Sequence, residues 1–167
     1  MSATLVELDG DRYEIRTNNE PVHLVTVAVQ GPPGPPGTGG GGGAASYSAE
    51  NKTAGTLPAG TPVAVHSTGA GVIAADATAA PPCVGLLLAD TAAGHAGDVQ
   101  TAGPLTLADW TAATGAASLT ARAVYFLAAG GGLTTAAPAT PGQRMQAVGR
   151  AVAPDTLDVT VFPPILL

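Results

Sequence analysis

Reactive side chains are few: the histidines His23, His66 and His95, the single cysteine Cys83, and carboxylates that include Asp76, Asp90, Asp98, Asp109, Asp155 and Asp158. A bound metal needs several ligands converging on one point. The histidines lie far apart, with neither His-x-His nor His-x₃-His spacing, so no metal site is expected. An ion on a trimer axis, ringed by one His or Asp per subunit, is the arrangement that stays open. His95 sits in Gly94-His95-Ala96-Gly97, which reads as a hairpin turn. Cys83 stands in an apolar run and reads as a small buried hydrophobe, and one cysteine excludes an intrachain disulfide. The run Gly39–Gly43 has neither the Lys-Ser/Thr nor the helix that a phosphate loop requires. A glycosidase needs two carboxylates facing each other across the scissile bond, usually in a cleft lined with aromatics. Aromatics are few in the domain that holds these carboxylates, Tyr47, Trp110, Tyr125 and Phe162 among them. The chain is therefore expected to be non-enzymatic and to carry no cofactor.

The elements that hold these residues are apolar and nearly uncharged. Charged residues make up 11% of the chain, against about 25% in an ordinary soluble domain. Aromatics are 4%, so the side chains that dominate core energetics are scarce, as is the charge that keeps monomers apart. Both shortages ease if apolar surface is buried between subunits, which points to an oligomer. The net charge is −6, and the six cations (Arg12, Arg16, Lys52, Arg122, Arg144 and Arg150) form no basic run. Nucleic acid and polyanionic membrane surfaces thus find no electrostatic footprint. No apolar run is long enough to span a bilayer. Glu7, Asp9 and Asp11 are unlike the start of a signal peptide, so a soluble protein made in the cytoplasm is expected.

Composition divides the chain into three: residues 1–30, 31–44 and 45–167. In the first, Asp9-Gly10-Asp11 and Thr17-Asn18-Asn19-Glu20 are turn formers between β-prone runs. Val22, Leu24, Val25, Val27 and Val29 make a Val-rich strand. Two or three short strands bury too little to stand alone, so this segment is expected to pack on something else and to serve as an anchor. The second segment, GPPGPPGTGGGGG, places Gly at 31, 34, 37, 40 and 43. Gly at every third position with Pro between is the collagen pattern, in which only Gly fits the crowded axis. Gly31, Pro32, Pro33, Gly34, Pro35, Pro36 and Gly37 would form a short three-chain stalk, with trimerisation supplied by the flanking segments. The same residues also suit a stiff spacer followed by a Gly hinge, or a Pro-rich ligand for an aromatic groove.

Residues 45–167 alternate turn formers with short β-type runs, expected at 61–65, 71–74, 83–88, 98–101, 105–107, 123–127, 133–135, 145–152 and 157–162. Gly103-Pro104 and Pro141-Gly142 are among the turns. This pattern predicts an all-β sandwich or barrel. The Ala-rich stretches 74–80 and 108–117 suit at most a helical turn, because Thr, Gly and Pro interrupt them. Trp110, the only tryptophan, is expected to plug a core or a subunit interface. An apolar ending, Phe162-Pro163-Pro164-Ile165-Leu166-Leu167, is a liability in a monomer, so Phe162, Ile165, Leu166 and Leu167 are expected at the subunit interface with Trp110.

One family resembles this arrangement. Val84-Gly85-Leu86-Leu87, Gly97-Asp98-Val99-Gln100-Thr101-Ala102-Gly103, Leu107-Ala108-Asp109-Trp110, Ala123-Val124-Tyr125-Phe126-Leu127, Gly132-Leu133-Thr134-Thr135, Pro141-Gly142, Val148-Gly149-Arg150-Ala151, the Leu-x-Val-x-Val strand at 157–161 and Pro163-Pro164-Ile165-Leu166-Leu167 together look like a domain of tailed-bacteriophage head decoration, head fibre and tail fibre proteins. The likeness covers roughly residues 55–167. The opening β-type head followed by Val29-Gln30-Gly31-Pro32-Pro33 resembles the attachment module of phage fibre proteins. That resemblance implies a homotrimer on the capsid surface of a virion. Residues 1–30 would dock on the major capsid protein or another virion protein, by adding strands to an exposed edge. The short stalk favours a compact decoration of the shell; a tail fibre or tail-tip protein binding a host receptor is the alternative, and it calls for an exposed aromatic or polar binding face. A small hydrolase on a spike and a collagen-like bacterial surface protein are the readings from other classes. Saccharide release tests the first, and the N-terminus argues against the second.

Overall fold

Leu5-Val6-Glu7-Leu8 and Tyr13-Glu14-Ile15 flank Asp9-Gly10-Asp11, and a hairpin forms there. Its strands are β1 (Thr4–Asp9) and β2 (Arg12–Thr17), antiparallel and in register from Thr4 opposite Thr17 to Asp9 opposite Arg12. The computed structural model describes residues 4–9, 12–17, 44–79 and 81–167. The chain divides into two compact units, Met1–Gly40 and Gly41–Leu167, at a boundary inside the Gly run 39–43. Residues 22–29, expected as a strand, and the Gly-Pro-Pro segment lie outside the described residues.

The second unit is nearly all β. Its strands are β3 (Ala45–Glu50), β4 (Pro62–Val65), β5 (Val72–Ala74), β6 (Cys83–Leu87), β7 (Ala96–Thr106), β8 (Val124–Leu127), β9 (Leu133–Thr134), β10 (Arg144–Met145), β11 (Ala147–Ala151), β12 (Thr156–Thr160) and β13 (Ile165–Leu166). Eight of them run in the order β5-β4-β6-β7-β12-β11-β8-β9, and β3 adds to β7. All of these strand pairs are antiparallel. The sheet curls, because residues from both halves of that order share one core: Ala64, Cys83 and Leu86 from one half, Tyr125, Leu127, Val148, Ala151, Leu157 and Val159 from the other. A smaller cluster of Leu57, Val63, Val72, Leu87 and Val99 fills the far side of β4 and β6. The nine-stranded curled sheet is joined in this unit by a separate two-stranded ladder of β10 and β13, and the expected all-β character is what the domain shows.

Alternation decides which face of each strand is buried. In β12, Leu157 and Val159 are buried while Thr156, Asp158 and Thr160 are not. The one helix, α1 (Thr111–Thr114), is a single turn within the expected stretch 108–117, and it stops at Gly115, whose φ of 78° is left-handed. In the stretch 74–80, residues 77–78 form a turn rather than a helix.

One local expectation needs correction, and two strands are added to those expected. The runs 98–101 and 105–107 are one strand, β7, and Gly103-Pro104 is not a turn. Gly103 takes a φ of 90°, a conformation glycine adopts without a Cβ clash. Pro104 sits opposite Asp158, past the point where the β6–β7 ladder ends at Gln100, so its missing N–H breaks no bond on that side. The buried Gln100 side chain donates to the Gly103 carbonyl at 2.8 Å and fixes the bend. β3 was not anticipated: Ala45-Ser46-Tyr47-Ser48-Ala49-Glu50 has weak β propensity and an exposed pattern, and pairing with β7 holds it. The tail strand β13 was also missed, since Pro163-Pro164 precedes it.

Candidate functional site

Four of the candidate carboxylates are tied down locally, while Asp98 and Asp158 lie within the strands β7 and β12. Asp76 Oδ1 accepts from the Thr78 N–H and hydroxyl at 2.8 and 2.9 Å and from the Gly130 N–H at 3.0 Å. The backbone bond from Thr78, with the help of the others, holds its carboxyl below the ordinary value. Asp109 Oδ1 accepts from the Thr111 hydroxyl and N–H at 2.6 and 2.8 Å, which lowers its pKa in the same way. Asp90 accepts from the Ala59 N–H, and Asp155 from the Thr156 hydroxyl. These bonds shape turns and bring no two carboxylates together. Half-buried His66 and exposed His95 bond locally, to the Thr68 hydroxyl and the Ala93 carbonyl; His23 lies outside the described residues. Among the described residues, no group of three His, Cys, Asp or Glu side chains is placed to hold a metal. Cys83 is buried, and burial pushes its thiol up to about 12.

Trp110 needs a correction. It is fully buried inside its own chain, beside Leu107, Ala113 and Gly60, and its indole N–H donates to the Asp155 carbonyl at 2.9 Å. A side chain enclosed on all sides by its own domain cannot also pack on a neighbour, so Trp110 is a core plug rather than an interface residue. The other four interface candidates sit at the surface. Phe162 is 54% exposed, Ile165 55%, Leu166 70% and Leu167 40%.

These four are ordered by their backbone. The Phe162 N–H donates to the Ala147 carbonyl at 3.0 Å, and Gln146 Nε2 donates to the Phe162 carbonyl at 2.9 Å. Gln146 is buried and also bonds Cys83 in both directions, at 2.9 Å each. Ile165 and Leu166 pair with Met145 and Arg144; the Leu167 N–H donates to Gln143 and its carbonyl accepts from Gly142. The segment 156–167 therefore runs antiparallel to 142–151 along its length, broken only around Pro163-Pro164. An apolar tail is pinned in place with its side chains in water.

Two open clefts adjoin the sheet. One, of about 340 Å³, is lined by Val124, Gly149, Arg150, Asp158, Thr160 and Phe162. It lies on the outer face of β8, β11 and β12, where the register sets Val124 beside Arg150 and Arg150 beside Asp158. The other, of about 190 Å³, is lined mainly by hydroxyl-bearing residues, including Thr114, Ser118, Thr120 and Tyr125. The Tyr125 hydroxyl is already engaged, accepting from the Thr120 N–H at 2.9 Å. No sequence signal marks the first cleft, because Val124, Arg150 and Asp158 meet only through the strand order. The stalk residues 31–37 and the anchor residues Val22, Leu24, Val25, Val27 and Val29 lie outside the described residues. No protein-family model matches the chain, and no curated protein is similar enough to it to count as a relative.

Proposed function

We propose that the chain is a non-enzymatic structural protein of a virus particle, a trimeric capsid decoration or short head fibre of a tailed bacteriophage. Residues 1–30 dock on the major capsid protein, residues 31–44 form a short collagen-like stalk, and residues 45–167 are the distal domain. The observation that carries this reading is the Gly-Pro-Pro period at 31–37, set ahead of a β domain that holds an apolar tail rigidly in solvent. Collagen-like chains work in threes, and a rigid exposed apolar surface marks a contact site. Three anchors on one stalk would turn weak single contacts into a strong joint one.

Pelleting with empty shells of the major capsid protein encoded alongside this chain tests the docking. The full chain is expected to sediment with the shells, and a chain lacking residues 1–30 to stay in the supernatant. Failure of the full chain to sediment, or equal sedimentation of both, would contradict the reading.

A further inference from the structure

We propose that copies of this chain meet through the outer face of β8, β11 and β12, with Arg150 of one copy pairing with Asp158 of the next. This rests on the trimeric reading above and says where the contact lies. Val124, Asp158, Thr160 and Phe162 turn outward around the open 340 Å³ cleft, while Tyr125, Ala151, Leu157 and Val159 on the same strands face the core. The tail, Ile165 to Leu167, follows Phe162 in the chain and is likewise exposed. The other exposed apolar residues, such as Val65, Leu88 and Val152, are not part of this cleft and need no partner.

The charges identify the occupant. Arg150 and Asp158 are direct neighbours across the β11–β12 ladder, the placement that favours an ion pair. They do not form one: among the described residues the only ion pair is Glu50 with Lys52, at 2.7 Å. Arg150 Nε instead donates to the Arg122 carbonyl at 3.2 Å, which leaves most of the guanidinium's five N–H donors uncommitted. The face thus offers one cation and one anion among apolar side chains. A strongly acidic or basic partner would meet one of them unfavourably. A second copy brings both signs at the same spacing, so a ring of copies satisfies each Arg150 with a neighbour's Asp158.

Light scattering on the full chain and two charge reversals tests this. Wild type is expected at three times the chain mass of 16.1 kDa. Arg150→Asp and Asp158→Arg are each expected to fall threefold, to single-chain mass, with circular dichroism unchanged. The double reversal, Arg150→Asp with Asp158→Arg in one chain, is expected to restore assembly, because every contact of the three-membered ring then again joins opposite charges. Single variants that keep the trimer mass would overturn the inference and leave the trimer reading standing. A double reversal that stays at single-chain mass would overturn it too, since the two positions would then not be partners in the contact. A wild type at single-chain mass would overturn both.

Discussion

Cys83, Gln146 and Trp110 show how single residues set this domain's stability. The Cys83 thiol, pushed up to about 12 by burial, holds almost no thiolate at neutral pH. A disulfide reagent is expected to leave the native protein unmodified for hours and to titrate one thiol at once in urea. Fast labelling of the native protein would contradict the burial. Gln146→Leu strands the Cys83 N–H and two carbonyls that the amide now satisfies. At about 1–3 kcal/mol for an unsatisfied buried group, the urea midpoint should drop clearly, and amide exchange at the tail should quicken. Asp76 contributes in a pH-dependent way. Its folded-state pKa lies below the unfolded value of 3.8, so its contribution is present above that value and is lost as pH falls through the folded pKa. Stability measured from neutral pH to about pH 2 should decline less steeply at the acid end in Asp76→Asn. Trp110 was legible in the sequence as a residue that must be enclosed, but not in what encloses it, because the Asp155 carbonyl that accepts from its indole N–H is distant in the chain.

At the scale of elements, the strands that read clearly from the sequence are those that bury one face. Leu157 and Val159 alternate with Asp158 and Thr160, and β12 follows that pattern. Strands held by pairing alone carry no such alternation: β3 is mostly exposed, and β13 is held by Met145 and Arg144. Gly103-Pro104 has the composition of a turn, and only the absence of a β6 partner at that point lets the pair stay inside β7. Gly85 marks another long-range constraint, since a Cβ there would lie 2.5 Å from the Gln100 carbonyl oxygen and 2.6 Å from Val99 Cγ1. Gly85→Ala is expected to cost about 1–3 kcal/mol, the usual penalty for overpacking, read as a lower urea midpoint. No change would mean that β6 and β7 separate more easily than their ladder implies. The cleft on β8, β11 and β12 was illegible for the same reason, as strand order is a property of the whole sheet.

For the whole molecule, composition was the most informative signal. A chain with few charges and few aromatics builds its core from Ala, Val and Leu, and it still leaves Phe162, Ile165 and Leu166 in water. Pinning that tail costs conformational entropy, which a contact between copies would offset. Leu166→Asp lies on the surface and should leave the melting of a single domain within about 0.5 kcal/mol of wild type, while abolishing assembly. A variant that stays assembled would remove the tail from the contact.

The mass of the full chain by sedimentation equilibrium, over a wide range of concentration, is the most direct test of the central claim. A mass three times 16.1 kDa, constant on dilution, is the predicted result. A single-chain mass at every concentration would contradict the account.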